Sequence, residues 1–302
     1  MRVLLCHRLN LGDLVCAIPG IQWLRQKHPQ ARFRLITNEF AARIGELIAE
    51  VEQVYPYRKF DRHAEPEWRQ MLRARAWRPQ RVIGLSPSPD RKLAWRLRLL
   101  GPGEESDLTS APEHAAERLA WLFGWRREEP LNRVHLRRPE VHGTARNVAI
   151  WVSARKPSNQ PAPGQVIGIV RALRARRNGT SIGVFGLPER TNSGAHLPDV
   201  QAQSALRMML RGEGLELETP PLDLLLGELA ASDSLIAPDG GMAHVAAGFG
   251  KPVVALFGDV DPKAWRPWSP RVKVLQAASR TVADLDPAAI AAAWEESIAG
   301  PA

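Results

Sequence analysis

Apolar residues recur along the chain in short strand-like runs, each followed by a stretch with helical period. In the first half the runs lie at 2–7, 32–37, 53–57 and 81–85. After the first run, Leu14, Val15, Ile18, Ile21 and Leu24 mark a helix to about residue 28, and further helices are predicted over 40–49, 66–76, 89–100 and 112–125. Pro19 lies inside the first helix and predicts a kink or a restart there. Residues 126–146 are charged and aperiodic, which predicts a linker. The second half repeats the pattern, with strands at 147–152, 181–185, 234–237 and 252–257. Its helices end near 177, span 223–232, begin near 242 and span 286–299, with a less regular stretch before 223. Such alternation predicts an α/β protein of two doubly wound, Rossmann-like domains, 1–140 and 141–302. Ligands then belong at the carboxyl ends of the strands, where loops of two lobes can meet across one cleft. The C-terminal helix has the option of packing back on the first domain.

Composition narrows the class. The 302 residues are 44% hydrophobic and 24% charged, ordinary for a soluble protein with a sizeable core. Cys6 lies in the first apolar run and Cys16 on the first helix, a placement that predicts reduced thiols in a cytosolic protein with neither disulfide framework nor zinc motif. No apolar leader opens the sequence and no run of about 18 apolar residues occurs, so neither export by a signal peptide nor a membrane span is expected.

Charge adds a direction. The net charge is +9, and residues 1–140 hold 25 Lys/Arg against 17 Asp/Glu while residues 141–302 hold 16 against 15. The first half is therefore the anion-facing part, suited to nucleic acid, an acidic membrane or a phosphorylated substrate. No aromatic-basic RNA signature or recognition helix accompanies it, so nucleic acid is not expected. The segment Asp90-Arg-Lys-Leu-Ala-Trp-Arg-Leu-Arg98 mixes Arg91, Lys92, Arg96 and Arg98 with Trp95, as an interfacial helix does. The same pattern also describes a solvated helix face over a core.

The candidate chemistry lies in loops that follow strands. Asp239-Gly-Gly-Met-Ala-His244 stands between a strand and a helix of small residues. Gly240 and Gly241 let a ligand approach the main chain, and a helix starting near Met242 aims unpaired N–H groups at the gap, a setting that attracts phosphate. His244 falls in the first turn, and Asp239 can cap the helix or hold a hydroxyl. A capping Asp, turn glycines and a packed His account for the same residues without a ligand. Asp13, after Gly12, is expected at the N-cap of the first helix. Asp259 and Asp261 lack further ligands for a dedicated metal site.

Together Arg8-Leu-Asn-Leu-Gly-Asp13 with Pro19, Gly186-Leu-Pro-Glu189, Asp239-Gly-Gly-Met-Ala-His244-Val-Ala-Ala, Pro252-Val-Val-Ala-Leu-Phe-Gly258 and Asp261-Pro-Lys-Ala-Trp-Arg-Pro-Trp268 resemble the heptosyltransferases of glycosyltransferase family 9, with the pieces in family order across both halves. The resemblance implies the GT-B fold and an inverting, metal-independent glycosyltransferase that needs no cofactor. The donor, ADP-heptose, would sit on the second domain, and the acceptor, the phosphorylated inner core of lipopolysaccharide, on the first. It implies a cytoplasmic enzyme peripheral to the inner face of the inner membrane, with Arg8, Arg91, Lys92, Arg96 and Arg98 toward acceptor or anionic lipid. Asp13 matches the catalytic base. Ser153, Lys156, Glu189, Asp239, Gly240, Gly241, Met242 and His244 match donor-binding positions, Glu189 being the acidic residue expected on the ribose.

Two departures bear on the donor. Gly240 stands where the family usually has a hydroxyl residue, and Arg155-Lys156 comes early in its loop without the family's Trp. Transfer from another nucleotide sugar, or to another glycan, fits the same motifs. A non-catalytic protein binding anions or nucleic acid is the remaining alternative.

Overall fold

The computed structural model describes residues 1–58, 63, 65–88, 90–102, 108–188 and 200–300, with the side chains of Arg91 and Lys92 outside the description. The chain forms two compact units, Met1–Arg137 and Arg138–Ala302.

The first unit runs β1 (Arg2–His7), α1 (Leu11–Lys27), β2 (Arg32–Asn38), α2 (Glu39–Gly45), β3 (Val51–Tyr57), α3 (Glu67–Ala76), β4 (Arg81–Leu85), α4 (Arg91–Leu100) and α5 (Ala115–Trp121). Its sheet is parallel, in the order β3-β2-β1-β4. Val3, Leu4, Leu5 and Cys6 are all buried, because a central parallel strand is covered on both faces and so reads as a continuous apolar run. Leu4, Cys6 and Ile36 meet Ala74 of α3 and Leu93 and Leu97 of α4, so these two helices cover one face. Leu35, one position along and on the other face, meets α2 at Gly45, where an added Cβ would come within 2.6 Å.

The second unit runs β5 (Val148–Trp151), a 3-10 turn (Pro157–Asn159), α6 (Pro163–Arg176), β6 (Ile182–Phe185), α7 (Val200–Gly212), β7 (Leu217–Glu218), α8 (Leu222–Ala231), β8 (Leu235–Pro238), α9 (Gly241–Gly248), β9 (Val253–Phe257), α10 (Pro262–Trp265), β10 (Val272–Gln276) and α11 (Pro287–Ala299). The parallel sheet has the order β10-β9-β8-β5-β6-β7. This is the dinucleotide-fold order, whose switch point lies between β5 and β8. Within this unit α11 packs on α6 and beside β9 and β10. Its Trp294 is 1% exposed and donates its indole N–H to Ser234 Oγ at 2.8 Å. Gly168 lets α6 approach closely, since a Cβ there would meet Pro287 Cγ at 2.7 Å.

Several local expectations change. The N-cap of α1 is Asn10, and Asp13 sits three residues in, its carboxylate accepting the Asn10 N–H at 3.0 Å in a capping box. α1 continues through Pro19 to Lys27 instead of restarting. Residues 126–146 are more than a linker, because Val134 and Leu136 are buried and the Arg137 N–H bonds Leu47 O at 2.8 Å. The less regular stretch holds α7, whose buried stripe is Gln203, Leu206 and Leu210. A Gln in that stripe hides the helical period from a hydrophobicity scan. β10 also escaped prediction, as an edge strand with four half-buried residues and an exposed Lys273.

Candidate functional site

In the second unit the loops after β5, β8 and β9 are tied together by one side chain. Asn159 is 3% exposed and ends the 3-10 turn. Its Nδ2 donates to Asp239 Oδ2 at 3.3 Å and faces Asp239 O at 3.4 Å, while its Oδ1 accepts the Gly258 N–H at 2.9 Å. Gly258 must be glycine for this approach: a Cβ would lie 2.4 Å from both Asn159 Oδ1 and Ser158 O. Gln160 and Gln276 brace the same loops, donating to Val152 O at 2.6 Å and to Gly258 O at 2.6 Å.

Of the residues expected at the donor, Asp239 bonds this brace and Lys156 precedes it as the N-cap of the same 3-10 turn. The Asp239 N–H bonds Leu256 O at 2.7 Å, extending the β8–β9 ladder and placing its carboxylate at the switch point. Burial pushes that carboxyl from its ordinary 3.8 up to about 6, against the Asn159 hydrogen bond and the nearby Lys156 and Arg155 charges. Gly240 is the N-cap of α9 and offers no side-chain cap to the first backbone N–H groups of the helix, from Gly241 onward. Met242 and His244 are buried in α9, at 8% and 4% exposure. Lys156 Nζ lies 3.2 Å from Asp259 Oδ1, and Ser158 Oγ donates to the same oxygen at 2.8 Å. These two hydrogen bonds, Ser158 first, hold the Asp259 carboxyl below its ordinary value. Ser153 Oγ accepts the Leu187 N–H at 2.9 Å and so anchors the loop after β6. Glu189 lies outside the described residues. Asp261 caps α10 through the Lys263 N–H at 2.9 Å. Among the described residues no group of three or more His, Cys, Asp or Glu gathers at metal-binding distance.

In the first unit the switch point lies between β1 and β4, and an ion pair spans it. Arg8 Nη1 meets Asp90 Oδ2 at 3.3 Å, and Asp90 Oδ1 accepts the Leu93 N–H at 3.2 Å. Asn38 Nδ2 donates to Leu9 O at 3.1 Å, fixing the loop that leads to Asp13. Asp13 is half-buried in the first turn of α1. Of the basic set on α4, Arg98 is exposed, whereas Arg96 is turned inward with 12% side-chain exposure and pairs in a bidentate manner with Glu67 of α3. Arg96 thus joins two helices instead of an open cationic face, and the Glu67 hydrogen bond raises its pKa further. Cys6 and Cys16 are buried thiols, and burial pushes Cys6 up to about 12.

Nothing local marks Asn159 or Glu67 as a structural partner, and Gly258 is marked only as the last residue of a family-like motif. Ser158, Asn159 and Gln160 are equally polar, and nothing local shows which one turns inward.

Over its whole length the chain is similar to several solved structures. E. coli ADP-heptose lipopolysaccharide heptosyltransferase II shares 17% identity with a TM-score of 0.78, over 99% of each chain. E. coli heptosyltransferase WaaC with ADP shares 16% at a TM-score of 0.75, over 98% of this chain and 100% of the other. A glycosyl transferase family 9 protein from Veillonella parvula shares 16% at a TM-score of 0.76, over 99% and 97%. No curated protein sequence matches. With two parallel Rossmann-like units, these likenesses define the class: an α/β protein of the GT-B fold. Residues 222–291, from α8 to the first turn of α11, match the model of glycosyltransferase family 9 (heptosyltransferase). In this segment the chain matches a glycosyltransferase model, and over its whole length it has the fold of the heptosyltransferases.

Proposed function

We propose that the chain transfers heptose from ADP-heptose to a hydroxyl of the phosphorylated lipopolysaccharide inner core, inverting the anomeric centre without a metal. The second unit holds the donor and the first the acceptor. What supports this most is the β5/β8 switch point, where the uncapped start of α9, Lys156 and the Asp239 carboxylate stand on loops locked by Asn159. Backbone N–H groups and an ammonium suit a diphosphate, and a carboxylate suits a sugar hydroxyl.

In this reading Asp13 takes the acceptor's hydroxyl proton as that oxygen bonds the anomeric carbon. The bond from carbon to the diphosphate oxygen breaks on the opposite face, and its electron pair leaves with ADP. Lys156 and the α9 N–H groups, from Gly241 and Met242 onward, meet the charge that develops there. Lys156 exchanges Asp259 for phosphate as the donor enters. Glu189 holds the ribose, and Ser153, Gly240 and His244 shape the pocket. Enzyme and acceptor meet at the inner face of a cytoplasmic membrane, toward which the basic first unit is turned.

The test is incubation with ADP-heptose and heptose-deficient lipopolysaccharide, following ADP release and the mass of the product. One added heptose is expected. Transfer only from another nucleotide sugar would replace the donor, and no stabilisation by ADP at about 100 times its dissociation constant, where about 2.7 kcal/mol is due, would remove the donor site altogether.

A further inference from the structure

α3 and α4 lie side by side on one face of the first sheet, joined by the Arg96–Glu67 pair and by Arg75 Nη1 donating to Leu99 O at 2.9 Å. Each helix buries one stripe and turns an apolar stripe outward. On α3 these are Trp68 and Leu72, exposed by 59% and 60%; on α4 they are Trp95 and Leu99, exposed by 58% and 39%. Both pairs have the i, i+4 spacing that aligns side chains along a helix. Because the helices cover the same face of the sheet, the two stripes share one outward surface. Large aromatic and aliphatic side chains in that position are normally covered by something.

Cations surround the stripes. The two helices carry seven Lys/Arg against one acidic residue, Glu67, and Arg69, Arg73, Arg75 and Arg98 are all exposed. Glu65 offsets part of this charge through Arg69 at 3.6 Å and Arg73 at 3.7 Å, and Glu67 is used by Arg96. An excess of positive charge remains around two exposed tryptophans. A protein partner for an apolar patch does not call for so many cations, whereas an anionic bilayer calls for both features: indoles settle at the headgroup level, and arginines meet lipid phosphates while their stems lie along the acyl boundary.

We propose that the α3–α4 surface is a docking face for an anionic phospholipid bilayer, with Trp68, Leu72, Trp95 and Leu99 as its interfacial anchors. This gives a location to the membrane contact in the function proposed above and makes no use of the donor loops, so the two stand or fall separately. It also assigns α3 a part that the basic pattern of α4 alone did not suggest.

The experiment uses the full chain with phosphatidylcholine vesicles, with and without a phosphatidylglycerol fraction. Co-sedimentation with the anionic vesicles alone, fading as salt rises, is expected. Trp68→Ser with Trp95→Ser should lower the partition coefficient by ~10-fold or more while leaving ADP affinity in calorimetry unchanged, since both side chains lie outside the core. Trp95→Phe, keeping an aromatic ring, should recover part of the loss. Three results would overturn the proposal: no binding of the wild type to anionic vesicles, equal binding of the double variant, or a stable dimer in sedimentation velocity that the same substitutions dissociate. Loss of ADP binding by the wild type would bear on the transferase reading alone.

Discussion

Asp239→Asn removes a charge that its surroundings disfavour. The folded chain keeps the Asp239 proton up to about pH 6, whereas an unfolded Asp releases it near its ordinary 3.8. Between those values the folded state binds more protons, so this group's contribution to stability is full below about pH 4 and is lost as pH rises through about 6. A shift of about two units at 1.36 kcal/mol each amounts to about 3 kcal/mol at pH 8, an upper figure because the carboxylate is half-buried and keeps some water. Asn has the same shape and carries no charge. Asp239→Asn should therefore stabilise the ligand-free chain by up to about 3 kcal/mol at pH 8 and by almost nothing at pH 4. Under the proposed function donor affinity should fall in the same variant, because the carboxylate that costs stability is the group proposed to hold the donor. Calorimetric melts across this range, with ADP and ADP-heptose titrations at pH 8, provide the measurement. Equal effects on stability at pH 4 and pH 8, or destabilisation at pH 8, would refute the reasoning.

Three further outcomes follow, two from the same loops and one from the first turn of α1. Gly258→Ala places a methyl 2.4 Å from Asn159 Oδ1 and Ser158 O, and should cost about 1–3 kcal/mol in melts and weaken ADP binding; an unchanged melt would show that the loops give way freely. Asp259→Asn removes the partner that Lys156 shares with Ser158, so ADP affinity should rise a few-fold, roughly the worth of an exposed ion pair; weaker binding would make Asp259 a positioning residue for Lys156. Asp13→Asn keeps an oxygen for the Asn10 N–H and should fold and bind donor normally while kcat falls by about 10²- to 10⁴-fold, the usual worth of a general base; near-normal turnover would leave Asp13 as a helix-capping residue alone.

Much of the architecture was legible because strands and helices write a local period. The central strands Val3–Cys6 and Val253–Phe257 are buried on both faces and so read as unbroken apolar runs. Asp239-Gly-Gly stood out as a turn before a helix, and α9 begins at Gly241, one residue from the expected start. α7 was hidden because Gln203 occupies its buried stripe, where its amide donates to Leu187 O at 3.0 Å. The cap of α1 shifted from Asp13 to Asn10 because a capping box uses both residues, and their spacing alone leaves open which is the cap.

By itself, then, the sequence determined the alternation of strand and helix, the two α/β halves and the loops where chemistry was to be sought, all set by residues within a few positions of one another. Only the tertiary structure decided the strand order, the inward turn of Arg96 onto Glu67, and the choice of Asn159 as the brace between loops. Asn159 meets Asp239 across 80 positions and Gly258 across 99, and such contacts exist only after the sheet has closed those loops. The raised pKa of Asp239 has the same origin, because desolvation is a property of what packs around a carboxylate and not of its neighbours in the chain.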